Sequence, residues 1–139
     1  MVLGPGGATL AGDVRTPHHV GVNRFEDLRV WQAAKQQCDQ LGTLLKRSSF
    51  ERDRALSDQL NRASLSVVLN ITEGFLRRRD KETKQFLRYA IASNGELKAV
   101  TTWLRDVRIS RLPRRPLIEQ NDSIARMLRR WYATLSGAD

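Results

Sequence analysis

The sequence predicts an all-α protein, an antiparallel up-down-up-down four-helix bundle that follows a disordered N-terminal tail. Two observations lead to this prediction. Apolar residues recur every three or four positions in four separate segments, and no segment alternates long enough to indicate a strand. Short connections between such segments favour a bundle whose successive helices reverse direction. We therefore divide the chain into a flexible tail, residues 1–23, and a four-helix bundle, residues 24–139.

The predicted tail is rich in glycine, contains two of the four prolines and shows no hydrophobic period. Such a segment buries too little apolar surface to offset the entropy that it would lose on ordering. His18 and His19 are adjacent here, but no further ligand follows at a spacing suited to a metal ion. We expect disorder in this segment, and no metal or other cofactor in the protein.

Each predicted helix carries an apolar stripe on its core-facing side. The stripes consist of Leu28, Trp31, Ala34, Cys38, Leu41 and Leu45 in the first helix; Leu56, Leu60, Ala63, Val67, Ile71 and Phe75 in the second; Phe86, Leu87, Ala90, Ile91, Leu97, Val100, Leu104 and Val107 in the third; and Leu117, Ile124, Leu128, Trp131 and Leu135 in the fourth. The helical period begins at Arg24, and the second helix extends from about Phe50 to Leu76.

Residues that favour helix ends separate these stripes. Ser49 is a suitable N-cap for the second helix, and Asp80 is one for the third. Gly74 weakens the second helix near its end. Pro113 and Pro116 stop the third helix, because proline cannot continue a helix interior.

The single cysteine, Cys38, cannot form an intramolecular disulfide, and a reducing cytoplasm therefore suits the chain. Because Cys38 lies on the first apolar stripe, we expect it to be inert and to pack in the core. No segment has the length of apolar sequence needed to span a bilayer, and the N-terminus lacks the pattern of a signal peptide. We expect a cytoplasmic protein that does not act on a membrane.

The net charge of +9 is concentrated in two segments. Residues 77–88 hold six basic and two acidic side chains, residues 105–130 hold eight basic and three acidic ones, and the remainder of the chain is balanced. This distribution is typical of a protein that binds a polyanion. Helices with ordinary solvated basic faces are an equally common explanation of such charge.

The predicted topology collects these basic residues at the two ends of the bundle. One end holds Arg77, Arg78, Arg79, Lys81, Arg129 and Arg130, which are the predicted nucleic-acid contacts. The other end holds Lys46, Arg47, Arg108, Arg111, Arg114 and Arg115. Two basic poles suit contact with phosphates, whereas a protein that reads base sequence typically concentrates its contacts on one recognition helix.

Polar residues border the stripes of the second and third helices. They are Ser66, Asn70 and Glu73 on the second helix, and Ser93 and Glu96 on the third. Two carboxylates could serve acid–base catalysis, but no histidine follows residue 19 to complete a di-iron site or a nucleophilic triad. We favour a hydrogen-bond network that fixes the register of the helices, and hence a protein that is not an enzyme.

The three tryptophans lie within helical patterns. For Trp31, Trp103 and Trp131 we expect packing in the core or at a subunit interface. The alternative is stacking on nucleic-acid bases, for which Trp131 and Tyr132 are the candidates because they follow two arginines. Packing is the expectation that we favour, since aromatic residues late in a helix usually pack.

Three stretches together resemble a known family: FEDLRVWQAA from Phe25, QLNRASLSVVLNITEG from Gln59 and FLRYAIASNGELKAVTTWL from Phe86. They are similar to the four-helix bundle proteins encoded in intervening sequences of bacterial 23S rRNA genes, over roughly residues 24–135. Asn94 stands where the family has an apolar residue, and Thr72 where it has alanine. We expect these two differences to affect the packing of the second helix against the third.

The resemblance implies an antiparallel four-helix bundle, a homopentameric ring and a bacterial cytoplasm, but no settled biochemical activity. A related bundle, the accessory protein of diversity-generating retroelements, is similar in fold and basicity and binds nucleic acid and a reverse transcriptase. At the level of the fold, this similarity favours nucleic-acid binding. In a ring, each basic end would be repeated around the symmetry axis, so weak phosphate contacts would act together.

Our leading hypothesis from the sequence is a non-catalytic, oligomeric bundle that binds structured RNA or DNA through its basic ends. The alternative is a protein-interaction scaffold for an acidic partner, such as a polymerase or another nucleic-acid enzyme. An enzymatic role would depend on Glu73 and Glu96 alone.

Overall fold

The computed structural model describes residues 22–46, 54–107 and 113–137. These residues form a short 3-10 helix, Phe25–Asp27, and the α-helices α1 (Arg29–Leu45), α2 (Arg54–Leu76), α3 (Asp80–Val107) and α4 (Arg114–Thr134). The described ranges contain no strand, and the predicted all-α fold is confirmed. Residues 1–21 of the predicted tail lie outside these ranges, as do Ser49 and Phe50 at the predicted start of the second helix.

Contacts between neighbouring helices show how the bundle is connected. Along α2 and α3, Ser66 pairs with Ser93, and the Gly74 carbonyl accepts a hydrogen bond from the Thr83 hydroxyl at 3.0 Å. From the first pair to the second, the position on α2 rises from 66 to 74 while the position on α3 falls from 93 to 83. The two helices are therefore antiparallel.

The other two connections follow the same rule. Between α1 and α2, Trp31 pairs with Thr72 and Cys38 with Ser64. Between α3 and α4, Lys98 pairs with Asp122, and Lys84 donates to the Gly137 carbonyl just beyond the end of α4. Because α1 and α4 also share the core, the four helices close into an up-down-up-down bundle.

The apolar core consists of two clusters along the bundle axis. The first cluster contains Leu28, Val30, Ala34, Val67, Val68, Ile71, Leu87, Ala90, Ile124, Leu128, Trp131 and Leu135. The second cluster contains Leu41, Leu44, Leu45, Leu60, Ala63, Leu97, Leu104 and Leu117. Most residues of the predicted stripes are therefore buried, because the 3.6-residue period correctly identifies the inner face of each helix.

A buried polar layer separates the two apolar clusters. Gln37, Asn94 and Asn121, which we call the amide cluster, are each at most 4% exposed. The Asn121 amide donates to the Asn94 carbonyl and side-chain oxygens, both at 3.0 Å, and the Asn94 amide donates to the Asn121 carbonyl at 3.0 Å. Gln37 is 3.4 Å from both asparagines, so the cluster joins α1, α3 and α4.

The two residues that depart from the family pattern form hydrogen bonds outside the α2–α3 contact, and their expected effect on the packing of α2 against α3 stays a prediction. Asn94 bonds to α1 and α4 through the amide cluster. Thr72 accepts a hydrogen bond from the Trp31 indole of α1 at 2.9 Å. Both side chains therefore make hydrogen bonds that an apolar residue could not make.

Several helix ends differ from the prediction. The first α-helix begins at Arg29 rather than Arg24, because Leu28 is extended (φ −73°, ψ 130°) and interrupts the helical backbone. By contrast, α2 ends at Leu76 as predicted, with Gly74 inside its last turn. Pro116 lies in the first turn of α4, where proline is tolerated because the first N–H groups of a helix have no intrahelical acceptor.

The start of α3 also has a different role from the one predicted. Asp80 is the first residue of α3, and its carboxylate accepts hydrogen bonds from the Ser136 backbone N–H at 2.9 Å and hydroxyl at 2.7 Å. The carboxylate thereby holds the chain after α4 against the start of α3. None of the described helices is apolar enough over a sufficient length to cross a membrane.

Candidate nucleic-acid interface

One end of the bundle carries the six predicted nucleic-acid contacts. The bonds from Ser136 to Asp80 bring the chain after α4 next to the α2–α3 turn. This end therefore collects residues of the turn and of the last turns of α4. We call it the basic end and define it by Arg77, Arg78, Arg79, Lys81, Arg129 and Arg130.

Arg77 is engaged inside the basic end. Its guanidinium is 2.6 Å from the Glu73 carboxylate and 3.8 Å from that of Glu82. It also lies over the Phe86 ring, 4.6 Å from the ring centre. Two carboxylates and an aromatic ring therefore hold Arg77, and this residue closes the α2–α3 turn.

Arg79 is only weakly paired. Its guanidinium is 3.9 Å from the Glu82 carboxylate, and its side chain is 83% exposed. An exposed ion pair at this distance contributes little to stability and is easily exchanged for another anion. Arg79 is therefore accessible to a ligand.

Four cations of the basic end have no ion-pair partner in the part of the chain that the structure describes. Arg78, Lys81, Arg129 and Arg130 are exposed, and none of them forms an ion pair within the described ranges. Elsewhere on the surface, carboxylates balance several cations. Lys35 and Asp39, for example, are 2.6 Å apart on α1, and this hydrogen bond raises the pKa of Lys35 above its ordinary value.

Beside the basic end, α3 and α4 hold a cationic pair that the sequence analysis did not single out. Arg88 donates to the Tyr132 hydroxyl at 2.8 Å, and the Lys84 ammonium lies 5.0 Å from the centre of the Tyr132 ring. Lys84 and Arg88 were counted only as part of the basic segment 77–88. Their four-residue spacing in a helix indicates that they share a face, but a contact with Tyr132 depends on how α3 and α4 pack.

The opposite end of the bundle is described only in part. Lys46, Arg114 and Arg115 lie within the described ranges, whereas Arg47, Arg108 and Arg111 lie outside them. Arg115 is 3.5 Å from Glu119, and both side chains are well exposed. The second predicted pole thus stays a prediction.

The five polar residues that border the stripes fall into separate groups. The Ser66 and Ser93 hydroxyls are 2.8 Å apart, and the Asn70 amide donates to the Ser66 carbonyl at 2.8 Å and hydroxyl at 3.0 Å. These three residues form one hydrogen-bonded group between α2 and α3.

The two glutamates are not part of that group. Glu73 binds Arg77, whereas Glu96 accepts a hydrogen bond from the Gln59 amide. Gln59 and Glu73 are separated along α2 by about 21 Å at 1.5 Å per residue. Glu73 and Glu96 therefore do not share one site, and the separation is too large for paired-carboxylate chemistry.

One small cavity lies between α1, α3 and α4. It has a volume of about 10 Å³, adjoins the amide cluster and is lined in part by Gln37, Thr101 and Asn121. This volume suits about one water molecule. Within the described ranges, no group of three or more histidine, cysteine, aspartate or glutamate side chains is placed to hold a metal ion.

Comparison with known proteins gives one match. The family model described as "23S rRNA-intervening sequence protein" matches residues 26–130, which include most of the bundle. No curated protein matches the chain, and no solved structure does.

Proposed function

Because the chain belongs to the 23S rRNA-intervening sequence protein family, we propose that it is a non-catalytic protein that binds the phosphate backbone of structured RNA or DNA. The observation that carries this proposal is the set of four exposed cations at the basic end, which have no carboxylate partner within the described ranges. Exposed lysines and arginines of this kind displace the counterions of a nucleic acid, and this displacement drives binding.

The residues of the basic end would have two different roles, contact with phosphates and stabilisation of the α2–α3 turn. Arg78, Lys81, Arg129 and Arg130 would contact phosphates directly, and Arg79 would join them by leaving Glu82. Arg77 would hold the turn in place through Glu73. Contacts of this kind position a nucleic acid without reading its sequence.

The proposal predicts a specific change in salt dependence. We expect the double variants R78A/K81A and R129A/R130A each to bind structured RNA or duplex DNA more weakly, with a slope of log K against log salt that is shallower by roughly 2 units for duplex DNA. Binding would be measured by fluorescence anisotropy across a salt series. The matched control is R62A/R126A, which removes two exposed arginines from the middle of the bundle.

The control distinguishes binding at the basic end from binding through positive charge anywhere on the surface. If R62A/R126A weakens binding as much as the two test variants, the assignment to the basic end is wrong. If the wild-type protein binds neither RNA nor DNA at physiological salt, the proposed function itself is wrong.

A second observation favours protein–protein contact. Leu65, Leu69 and Leu76 lie in one row on α2 and are 48%, 54% and 59% exposed. On α3, Tyr89 and Trp103 are 48% and 57% exposed. We call these five residues the outer apolar face. Exposed apolar surface of this kind is typical of a binding interface.

For the outer apolar face we propose a second copy of this chain as the partner, in the homo-oligomer that the family resemblance implies. A pentameric ring in a bacterial cytoplasm is the form that we infer. The remaining candidate is an acidic protein partner, such as a polymerase, bound at the basic end. Material that co-purifies and survives nuclease treatment would favour this candidate over nucleic acid.

A further inference from the structure

Arg88 donates hydrogen bonds to two neutral side chains. Its two terminal guanidinium nitrogens donate to the Tyr132 hydroxyl at 2.8 Å and to the Gln85 side-chain oxygen at 2.6 Å. The Gln85 amide in turn donates to the Tyr89 hydroxyl, which fixes its orientation. Within the described ranges Arg88 forms no ion pair, so no carboxylate there offsets its positive charge.

Arg62 likewise donates to a neutral group, the Gln59 side-chain oxygen at 3.2 Å, but three other arginines differ from Arg88. Arg24, Arg77 and Arg115 each face a carboxylate. A guanidinium has five N–H groups, and Arg88 uses two of its nitrogens for the bonds to Gln85 and Tyr132. Because Arg88 is exposed, its remaining N–H groups are accessible to an anion.

Further positive charge surrounds Arg88. Lys84 lies one turn earlier on α3, donates to the Gly137 carbonyl at 2.9 Å and is only 5% exposed. Lys81 lies a turn before Lys84, and Arg129 lies one turn before Tyr132 on α4. The helical register therefore places these cations along the groove between α3 and α4.

The nearby carboxylates already have partners. Asp80 accepts two hydrogen bonds from Ser136, and Glu82 faces Arg77 and Arg79 on the side of α3 that meets α2. Asp122 pairs with Lys98 at 2.8 Å and lies nearly three turns before Tyr132 on α4. Within the part of the chain that the structure describes, Lys81, Arg88 and Arg129 form no ion pair with these carboxylates.

We propose that Arg88, positioned by Tyr132 and Gln85, is a phosphate-binding site in the groove between α3 and α4, where it takes a phosphate group of the nucleic-acid backbone. This inference rests on the proposed function and deepens it, because it adds a contact positioned by neutral hydrogen-bond partners to the exposed cations of the basic end. Arginine suits this role because its planar guanidinium can bind two phosphate oxygens at once. Tyr132 and Gln85 are positioning residues, which reduce the entropy lost on binding.

The test uses variants that separate charge from geometry. R88A should lower the affinity for structured RNA by about tenfold or more, because it removes charge-assisted hydrogen bonds. R88K should also weaken binding but should retain the wild-type salt slope, since it keeps the charge and loses the bidentate geometry. Y132F should weaken binding less, again at an unchanged slope.

The matched control is R126A, which removes one exposed arginine from α4. If R88A and R126A weaken RNA binding equally, Arg88 is an ordinary surface charge and the proposal is overturned. The proposal is likewise overturned if R88K binds as tightly as the wild-type protein. Thermal unfolding of each variant would confirm that it is folded. If R88A does not fold, the comparison of R88K with the wild-type protein tests the proposal instead.

A second measurement separates this site from the proposed function. In the wild-type protein, the Nε–H NMR signal of Arg88 should shift on titration with inorganic phosphate at constant ionic strength, and the signal of Arg126 should shift much less. If this shift occurs and RNA does not bind, the site stands as a phosphate site while the proposed function fails. Equal shifts of the two arginines, with either phosphate or RNA, would contradict the site.

Discussion

The side-chain amide of Asn94 joins three helices at a single residue. It donates to α4 through the Asn121 carbonyl at 3.0 Å, and its oxygen accepts from Asn121 and, at 3.4 Å, from Gln37 of α1. Buried amides of this kind stabilise one register because every alternative register leaves a polar group without a partner. The amide cluster thus specifies how α1, α3 and α4 align.

We expect N94A to lower the free energy of unfolding by about 1–3 kcal/mol, because it removes the Asn94 side-chain oxygen that accepts from the buried amides of Gln37 and Asn121. Urea unfolding followed by circular dichroism would measure this loss. The control is N61A, which truncates an exposed asparagine of α2. A loss no larger than that of the control would show that the amide cluster does not stabilise the fold.

At the scale of elements, α2 and α3 approach each other closely at Gly74. A Cβ atom at this position would meet the Leu87 side chain and the Phe86 Cβ, each at 3.5 Å, and the Thr83 carbonyl at 3.6 Å. These are ordinary van der Waals distances, so alanine fits and a larger side chain does not. Gly74 therefore serves the packing of two helices rather than the termination of one.

We expect G74A to leave stability unchanged or to raise it by up to about 1 kcal/mol, since glycine in a helix costs conformational entropy. G74L should lower stability by about 1–3 kcal/mol through overpacking. Gly95 of α3 is the matched control, because a Cβ there has no neighbour within 4 Å. If thermal unfolding shows G74L to be as stable as G95L, the close approach of α2 and α3 at Gly74 does not limit the size of the side chain there.

Sequence periodicity predicts which apolar residues are buried in this fold, but it does not predict which polar residues contact each other. The stripes place Leu60, Val67 and Ile71 in the core, because burial in a helix repeats with the turn. Asn94 and Asn121 occupy stripe positions too, yet a search for apolar residues passes over them. Their hydrogen bonds to each other and to Gln37 can be recognised only once the relative positions of α1, α3 and α4 are known.

The candidate site depends still more on tertiary structure. Arg77 and Arg78 are neighbours and equivalent in the sequence, but only Arg77 reaches Glu73 and Phe86. Arg88 and Tyr132 are 44 residues apart, so no local pattern connects them. Which cations are engaged and which are accessible follows from the geometry of the turn and of the α3–α4 contact.

At the scale of the whole molecule, the basic end and the row of exposed leucines on α2 extend over different parts of the surface and meet where Leu76 precedes Arg77. The basic end lies at one end of the bundle axis, whereas Leu65 and Leu69 lie along the side of α2. Copies that associate through the side of the bundle would keep their basic ends accessible. Such an assembly would present several phosphate-binding surfaces to one nucleic acid and increase avidity.

If the chain assembles as proposed, we expect L65E/L69E to give species of smaller mass than the wild-type protein, because charged side chains would be buried without partners in a subunit interface. Sedimentation velocity and light scattering would measure the mass. The control Q36E/Q40E adds the same two charges at the same spacing on the exposed side of α1. Equal masses for both variants and the wild-type protein would contradict the assignment of this interface.

The three tryptophans have different surroundings, and this gives the protein built-in optical reporters. Trp131 is 2% exposed in the core, Trp31 donates its indole N–H to Thr72, and Trp103 is 57% exposed on the outer apolar face. A soluble quencher such as acrylamide reaches the emission of Trp103 first, while Trp131 fluoresces from an apolar environment. Intrinsic fluorescence therefore distinguishes the covering of α3 from the unfolding of the core without any added dye.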